Sequence, residues 1–229
     1  MGRVMDMGDS VSADNSTAQL AALRALHVVS KRVHASLELN QTLDAIAQGV
    51  VEATCFGVAV VNLGTPDDRF EVVAVAGDES AREALLGTAE PIARWRQLEE
   101  RAEHWADLRF IDHRSPIGID DDMISWVPQI EPLNHPDAWH PDDTLYAPLL
   151  ASTGEWLGTL CVDLPAGGLR PGPAELELLR LFADHASIAI DHARLHETLR
   201  THRDELEHAA THDGLTGVAN RALLMARGP

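Results

Sequence analysis

A chain of 229 residues with 36 Asp and Glu against 18 Lys and Arg carries a formal net charge of −18. No cluster of bases offsets that excess, so phosphate backbones and anionic membranes are repelled and neither nucleic acid nor membrane is an expected partner. Apolar residues make up 45% of the chain, enough for one ordinary core, yet no apolar run nears the ~18 residues that a bilayer crossing needs. The N-terminus has no signal-like apolar stretch, and both cysteines, Cys55 and Cys161, sit in apolar strand-like runs, so reduced thiols and a cytoplasmic location are expected.

Residues 1–16 are polar and aperiodic and read as a flexible tail. From Thr17, Leu20, Leu23, Leu26, Val29 and Val33 recur every three or four residues, which predicts a helix over 17–37. Asn40 reads as the N-cap of a second helix, with Leu43, Ile46, Ala47 and Val50 on one face. Valine-rich runs at 56–63 and 69–76 flank Gly64-Thr65-Pro66-Asp67-Asp68 and predict a hairpin. A helix is expected over 80–105, then a short apolar stretch at 108–111 and a long irregular loop. Runs at 144–151 and 155–164 around Ser152-Thr153-Gly154 predict a second hairpin.

After Pro171-Gly172-Pro173, one helical pattern runs over 174–210 with no internal Gly or Pro, roughly 50 Å at ~1.5 Å per residue. Its apolar phase changes on the way. Leu176, Leu179, Ala183, Ala186 and Ile190 form one stripe, and Ile188, His192, Leu195, Leu199, His202, Leu206 and Ala209 form another pointing elsewhere. The first suits a sheet. The second, from Leu195 to Ala209, needs a partner, and a copy of itself is the simplest, so a homodimer is expected. Protonation of His192 and His202 would then place like charges across the seam and loosen it.

Two hairpins, helices before and after, and the strand Glu155-Trp156-Leu157-Gly158-Thr159-Leu160 leading into a long helix resemble the GAF family of small-molecule sensor domains. Leu157, Gly158, Leu160, Phe182, Ala183, Ala186 and Ile190 stand at that family's C-terminal pattern, and the resemblance spans residues 17–199. It implies an α+β fold of the mixed α/β type: an antiparallel sheet flanked by N-terminal helices and a long C-terminal signalling helix, with a small ligand between the sheet and residues 77–143.

A sharper resemblance follows the long helix. His212-Asp213-Gly214-Leu215-Thr216-Gly217-Val218-Ala219-Asn220-Arg221 is similar to the entry motif of GGDEF domains, the diguanylate cyclases. Asp213, Leu215, Thr216, Asn220 and Arg221 keep the family spacing, while Gly214 and Ala219 stand where the family often has proline. The resemblance implies a linker at 200–212 and the truncated start of a cyclase at 213–229. The cyclase acids would lie beyond Pro229, so this chain is expected to regulate rather than react. Gly77-Asp78-Glu79-Ser80 looks like the cyclase signature but precedes the entry motif, the reverse of family order, and reads as a helix cap. Glu83-Ala84-Leu85-Leu86 resembles the opening of a cyclic-dinucleotide phosphodiesterase and reads as a helix face.

Candidate ligand contacts concentrate late in the irregular region. From Asp112 to Asp143 there are eight acids against Arg114 alone, with Trp126 and Trp139 in the same stretch and Trp95 and Trp105 just before it. Carboxylates beside aromatic faces suit a cationic or amine-bearing ligand, tryptophan stacks equally well on a purine, and plain packing would also account for them. Trp95, His113, Trp126, Trp139, Asp142 and Tyr146 are the expected contacts. His104, His113, His135 and His140 could supply a haem or metal ligand, but no axial-ligand motif singles one out and no cofactor is named. The pairs His192/His196 and His208/His212 have the spacing of zinc ligands and lack a third.

Two other functions fit parts of the sequence. One is a GAF fold that only dimerises and binds nothing. The other is the GAF-like free methionine sulfoxide reductase, which requires an exposed, low-pKa thiolate at Cys55 or Cys161.

Overall fold

Leu39–Ala53 forms helix α1, with Leu43, Ile46, Ala47 and Val50 buried along one face, as their spacing of three and four dictates. The computed structural model describes residues 39–115 and 125–211. The expected tail, the helix over 17–37 and the motif from Asp213 to Arg221 lie outside the described residues. Asn40, expected as the cap of α1, instead lies within its first turn.

Strands β1 (Phe56–Gly64) and β2 (Arg69–Ala76) form the first hairpin, and β6 (Thr144–Leu150) and β7 (Trp156–Pro165) form the second. β1 joins the two hairpins by pairing antiparallel with β7, Val60 opposite Cys161 and Asn62 opposite Thr159. Three short strands complete the sheet: β3 (Ala89–Pro91), β4 (Glu103–Trp105) and β5 (Leu108–Ile111). Among the described residues the sheet has seven strands in the order β3-β2-β1-β7-β6-β5-β4. Its outer strands are three residues long, which limits the unpaired edge available to another chain.

The expected helix over 80–105 is replaced by two short ones. Helix α2 (Glu79–Leu85) is capped by Asp78, whose side chain accepts from the backbone N–H groups of Ser80 at 2.8 Å and Ala81 at 3.2 Å. The cap accounts for Gly77-Asp78-Glu79-Ser80. Gly87 then takes φ +78, a conformation that ends a helix, and Pro91 leads into helix α3 (Ile92–Glu99). Between the two helices, Gly87 N–H donates to the Val72 carbonyl and Val72 N–H to the Thr88 carbonyl, so the chain is captured by the edge of β2.

Both faces of the sheet are covered, which is why β1 reads as a nearly unbroken Val/Ala run rather than a clean alternation. Ala59 and Val61 join α1 and the first turns of helix α4 (Pro173–Thr211) in the main core, where Leu179, Phe182, Ala186 and Ile190 are at most 5% exposed. Each such fully buried Leu, Phe or Ile side chain contributes about 1.5–3 kcal/mol. Val58 and Val60 face the other way, toward the cover made by α2 and α3. The described residues fall into two compact units that divide between Ile190 and Asp191. Within the second, Leu195 and Leu199 are both 57% exposed and His192 and His202 are exposed. Leu206 and Ala209 lie in α4, with side chains outside the described residues.

Gly158 of β7 lies tight against β1: a Cβ there would lie 2.0 Å from the Asn62 backbone oxygen. The family glycine is therefore required by strand contact rather than by turn geometry. Gly158→Ala is expected to cost about 3 kcal/mol, read as a lower urea midpoint, because backbone rather than a flexible side chain must move.

Candidate functional site

A cavity of about 140 Å³ lies between the sheet and its α2–α3 cover. Strand register builds the floor. Val58 opposes Asp163 and Val60 opposes Cys161, so these four side chains share one face of the β1–β7 pair. Phe70 and Val72 of β2 extend the floor, and Leu85 of α2, Trp95 and Leu98 of α3 and Trp126 form the cover. Trp126 is pinned by its indole N–H, which donates to Ser80 Oγ at 3.0 Å. Trp95 packs edge-on against Tyr146, with ring centroids 5.7 Å apart, and its own Nε1 is buried without a partner among the described residues.

Three carboxylates reach the cavity wall, and their surroundings differ. Glu90 faces Arg94 at 3.5 Å. Asp143, 2% exposed, accepts from the backbone N–H of His113 at 2.9 Å and of His140 at 3.1 Å. His113 Nδ1 lies 2.9 Å from Asp143, and the Arg170 guanidinium 3.7 Å away. Asp163 has no ion pair among the described residues. Its Oδ1 accepts from Trp139 Nε1 at 2.8 Å and from Leu164 N–H at 2.6 Å, and no partner is found for Oδ2 among those residues. Burial pushes the Asp163 carboxyl up to about 6, against those two hydrogen bonds and with help from the charge of Asp143.

At one edge of the sheet, Asp112, His113 and Asp143 bring ligand atoms within 4.8 Å of one another, a spacing that could bracket a cation. The positive charge there is already supplied. Arg170 Nη2 lies 2.6 Å and Arg114 Nη2 2.7 Å from Asp112, and Arg170 stacks over the Phe110 ring at 4.7 Å. The Arg114 hydrogen bonds, ahead of Arg170 and against burial, hold the Asp112 carboxyl far below the usual carboxylate range. A metal ion would have to displace both guanidinium groups.

The six expected ligand contacts are not gathered in one place. Trp95 and Trp126 line the cavity, and Tyr146 supports Trp95 from behind, its hydroxyl donating to Glu99 at 3.1 Å. Trp139 is fully buried in the main core and touches the site through its bond to Asp163. His113 belongs to the Asp112–Asp143 edge, where its ring stacks on His140 at 3.8 Å, and Asp142 is exposed beside them. His104 and His135 are exposed elsewhere, so the four histidines do not converge. Sequence reasoning passed over Asp163 and Asn62, and read Cys161 only as a core or reductase thiol; all three lie on the central strands and line the cavity. The signal present was a charged residue inside an apolar strand, Leu160-Cys161-Val162-Asp163-Leu164.

Neither thiol has the character that reductase chemistry requires. Burial, aided by Glu175, pushes Cys55 up to about 11, and burial pushes Cys161 up to about 12 against hydrogen bonds from Thr159 and Asn62. Labelling of the native protein by a maleimide at pH 7.5 is expected to run roughly 100-fold slower than for a free cysteine, in proportion to the lost thiolate.

The raised Asp163 group also sets a stability profile. Its folded pKa of about 6 exceeds the ordinary 3.8, so between those values the native state holds more proton than the unfolded chain. Stability from this group is greatest below 3.8 and is lost as pH rises through 6. Asp163→Asn is therefore expected to gain about 2 kcal/mol in urea unfolding at pH 7.5, a gain that shrinks toward pH 4.

A family model for the GAF domain matches residues 38–190. Among solved structures, residues 122 to 287 of a methyl-accepting chemotaxis protein are 20% identical, with a TM-score of 0.53 over 73% of this chain and 97% of that one. The phycoerythrobilin-bound GAF domain from a cyanobacterial phytochrome is 20% identical, with a TM-score of 0.52 over 77% and 97%. The phytochrome photosensory core module of Stigmatella aurantiaca is 16% identical, with a TM-score of 0.55 over 84% of this chain and 40% of that one. At such identities the likeness is one of fold. No curated protein matches the chain. With the family pattern matched over more than half of its length, and a doubly covered antiparallel sheet beneath it, the chain belongs to the GAF domain family of sensor domains.

Proposed function

We propose that this GAF domain is the sensory part of a cytoplasmic cyclic-di-GMP signalling protein, binding a small molecule in the cavity and controlling a GGDEF-type diguanylate cyclase as a homodimer. The observation that carries the reading is α4. It is one unbroken helix from Pro173 to Thr211, its Leu179, Phe182 and Ile190 are buried in the sensor core, and its Leu195 and Leu199 are largely exposed. The motif from Asp213 to Arg221 directly follows it in sequence. Solved relatives of the fold from chemotaxis and phytochrome proteins are consistent with a signalling role.

In this mechanism the ligand touches the β1–β7 face that backs onto the core holding Leu179 and Phe182. A ligand that binds one packing of that core more tightly than another shifts the population by that difference in affinity and by no more. The change is passed along α4 to a seam built from Leu195, Leu199, His202, Leu206 and Ala209, which sets whether two cyclase domains can bring two GTP molecules together.

The test is the oligomeric state. By sedimentation equilibrium the chain is expected at twice its own mass, and the Leu195→Asp, Leu199→Asp double variant at the monomer mass with the thermal unfolding of the sensor core preserved. In the parent protein the same pair of changes is expected to abolish conversion of GTP to cyclic-di-GMP. A wild-type chain that stays monomeric at high micromolar concentration would overturn the dimer.

A further inference from the structure

We infer that the cavity takes a small monocation, an apolar body about the size of one benzene ring carrying a protonated amine, with the amine held against Asp163. The inference rests on the cavity being the sensor's binding site and specifies the chemistry of what enters.

Size comes first. An apolar cavity of about 150 Å³ accommodates benzene, and this one is about 140 Å³. Val58, Val60, Phe70 and Leu98 supply apolar walls, and Trp95 and Trp126 add two indole faces that attract a cation. Nucleotides and tetrapyrroles are several times larger than this space.

Charge then chooses among small molecules. The charged side chains lining the cavity are Glu90, Asp143 and Asp163, and no Lys, Arg or His is among its described lining residues. Glu90 is offset by Arg94, and Asp143 by Arg170 and two backbone N–H groups. Among the described residues Asp163 is offset by no base: both of its hydrogen bonds end on Oδ1 and Oδ2 is left. A carboxylate or phosphate ligand would find, among the described lining residues, no positive group and one uncompensated negative group. An ammonium brings the missing counter-charge to Oδ2. The burial that raises the Asp163 carboxyl is the same penalty a bound ammonium relieves. The wall is also unfinished at Trp95, 7% exposed, whose indole N–H lacks an acceptor among the described residues.

Three probes with one body and different charge test this: benzylamine, benzyl alcohol and benzoate. They are titrated into the purified chain and into Asp163→Asn at pH 7.5, with salt at about 0.15 M to screen the acidic surface. Benzylamine is expected to bind at least tenfold tighter than benzyl alcohol, with benzoate weakest. Asp163→Asn is expected to erase the preference for the amine and leave benzyl alcohol unchanged. Equal binding of benzyl alcohol or benzoate to the wild type would overturn the amine and leave the cavity a binding site. An amine preference that survives in Asp163→Asn would overturn the role of Asp163. Failure of all three probes would remove the cavity as the binding site.

Discussion

The antiparallel pairing of β1 with β7 is the constraint on which the rest of this domain depends. It joins two hairpins that would be marginal alone, and it is buried on both faces. One face carries Ala59, Val61 and Leu160 into the core beneath α1 and α4. The other presents Val58, Val60, Cys161 and Asp163 to the cavity. A single register thus sets both the packing that holds α4 and the floor of the cavity, and a one-residue slip would exchange them. The close approach of Gly158 to the Asn62 carbonyl shows how little slack that pair has.

Electrostatics divides the same region in two. At the edge of the sheet, Asp112 and Asp143 are met by Arg114, Arg170 and backbone N–H groups, so a run of acids in the sequence becomes a neutralised network that anchors the 166–170 turn. Inside the cavity, Asp163 is held by a tryptophan and its own neighbour's N–H and by no base among the described residues. An isolated carboxylate against valines is costly for the fold, and costs of this kind concentrate where a protein binds or reacts. The contrast separates acids met by arginines from the one cavity carboxylate that meets no base among the described residues.

Much of the framework was legible before any coordinates. Both hairpins and the long final helix appear within a residue or so of expectation, and the helix with Leu43 and Val50 starts two residues early, because periods of two and 3.6 survive in short windows. The region after Gly77 was less legible. Apolar residues from Ala81 to Leu98 continue at helical spacing, and only Gly87 and Pro91 betray the break, which the edge of β2 completes by capturing Gly87 and Thr88. Of the tryptophans, Trp95 and Trp126 reach the cavity while Trp139 enters the core, a distinction that composition does not carry.

The sequence by itself determined the two hairpins and the helices that precede and follow them, the net charge of −18, the family pattern around Leu157-Gly158 and the change of apolar phase along α4. These are properties of neighbouring residues, and local spacing records them. Tertiary structure alone decided which acids are neutralised, which thiols are shut away from ionisation and which side chains meet across the cavity. Val58 and Asp163 are more than a hundred positions apart in the chain and adjacent only because β1 pairs with β7 in one register. Charge, burial and hydrogen bonding at that distance belong to the fold, since no local pattern encodes a partner that arrives from another strand.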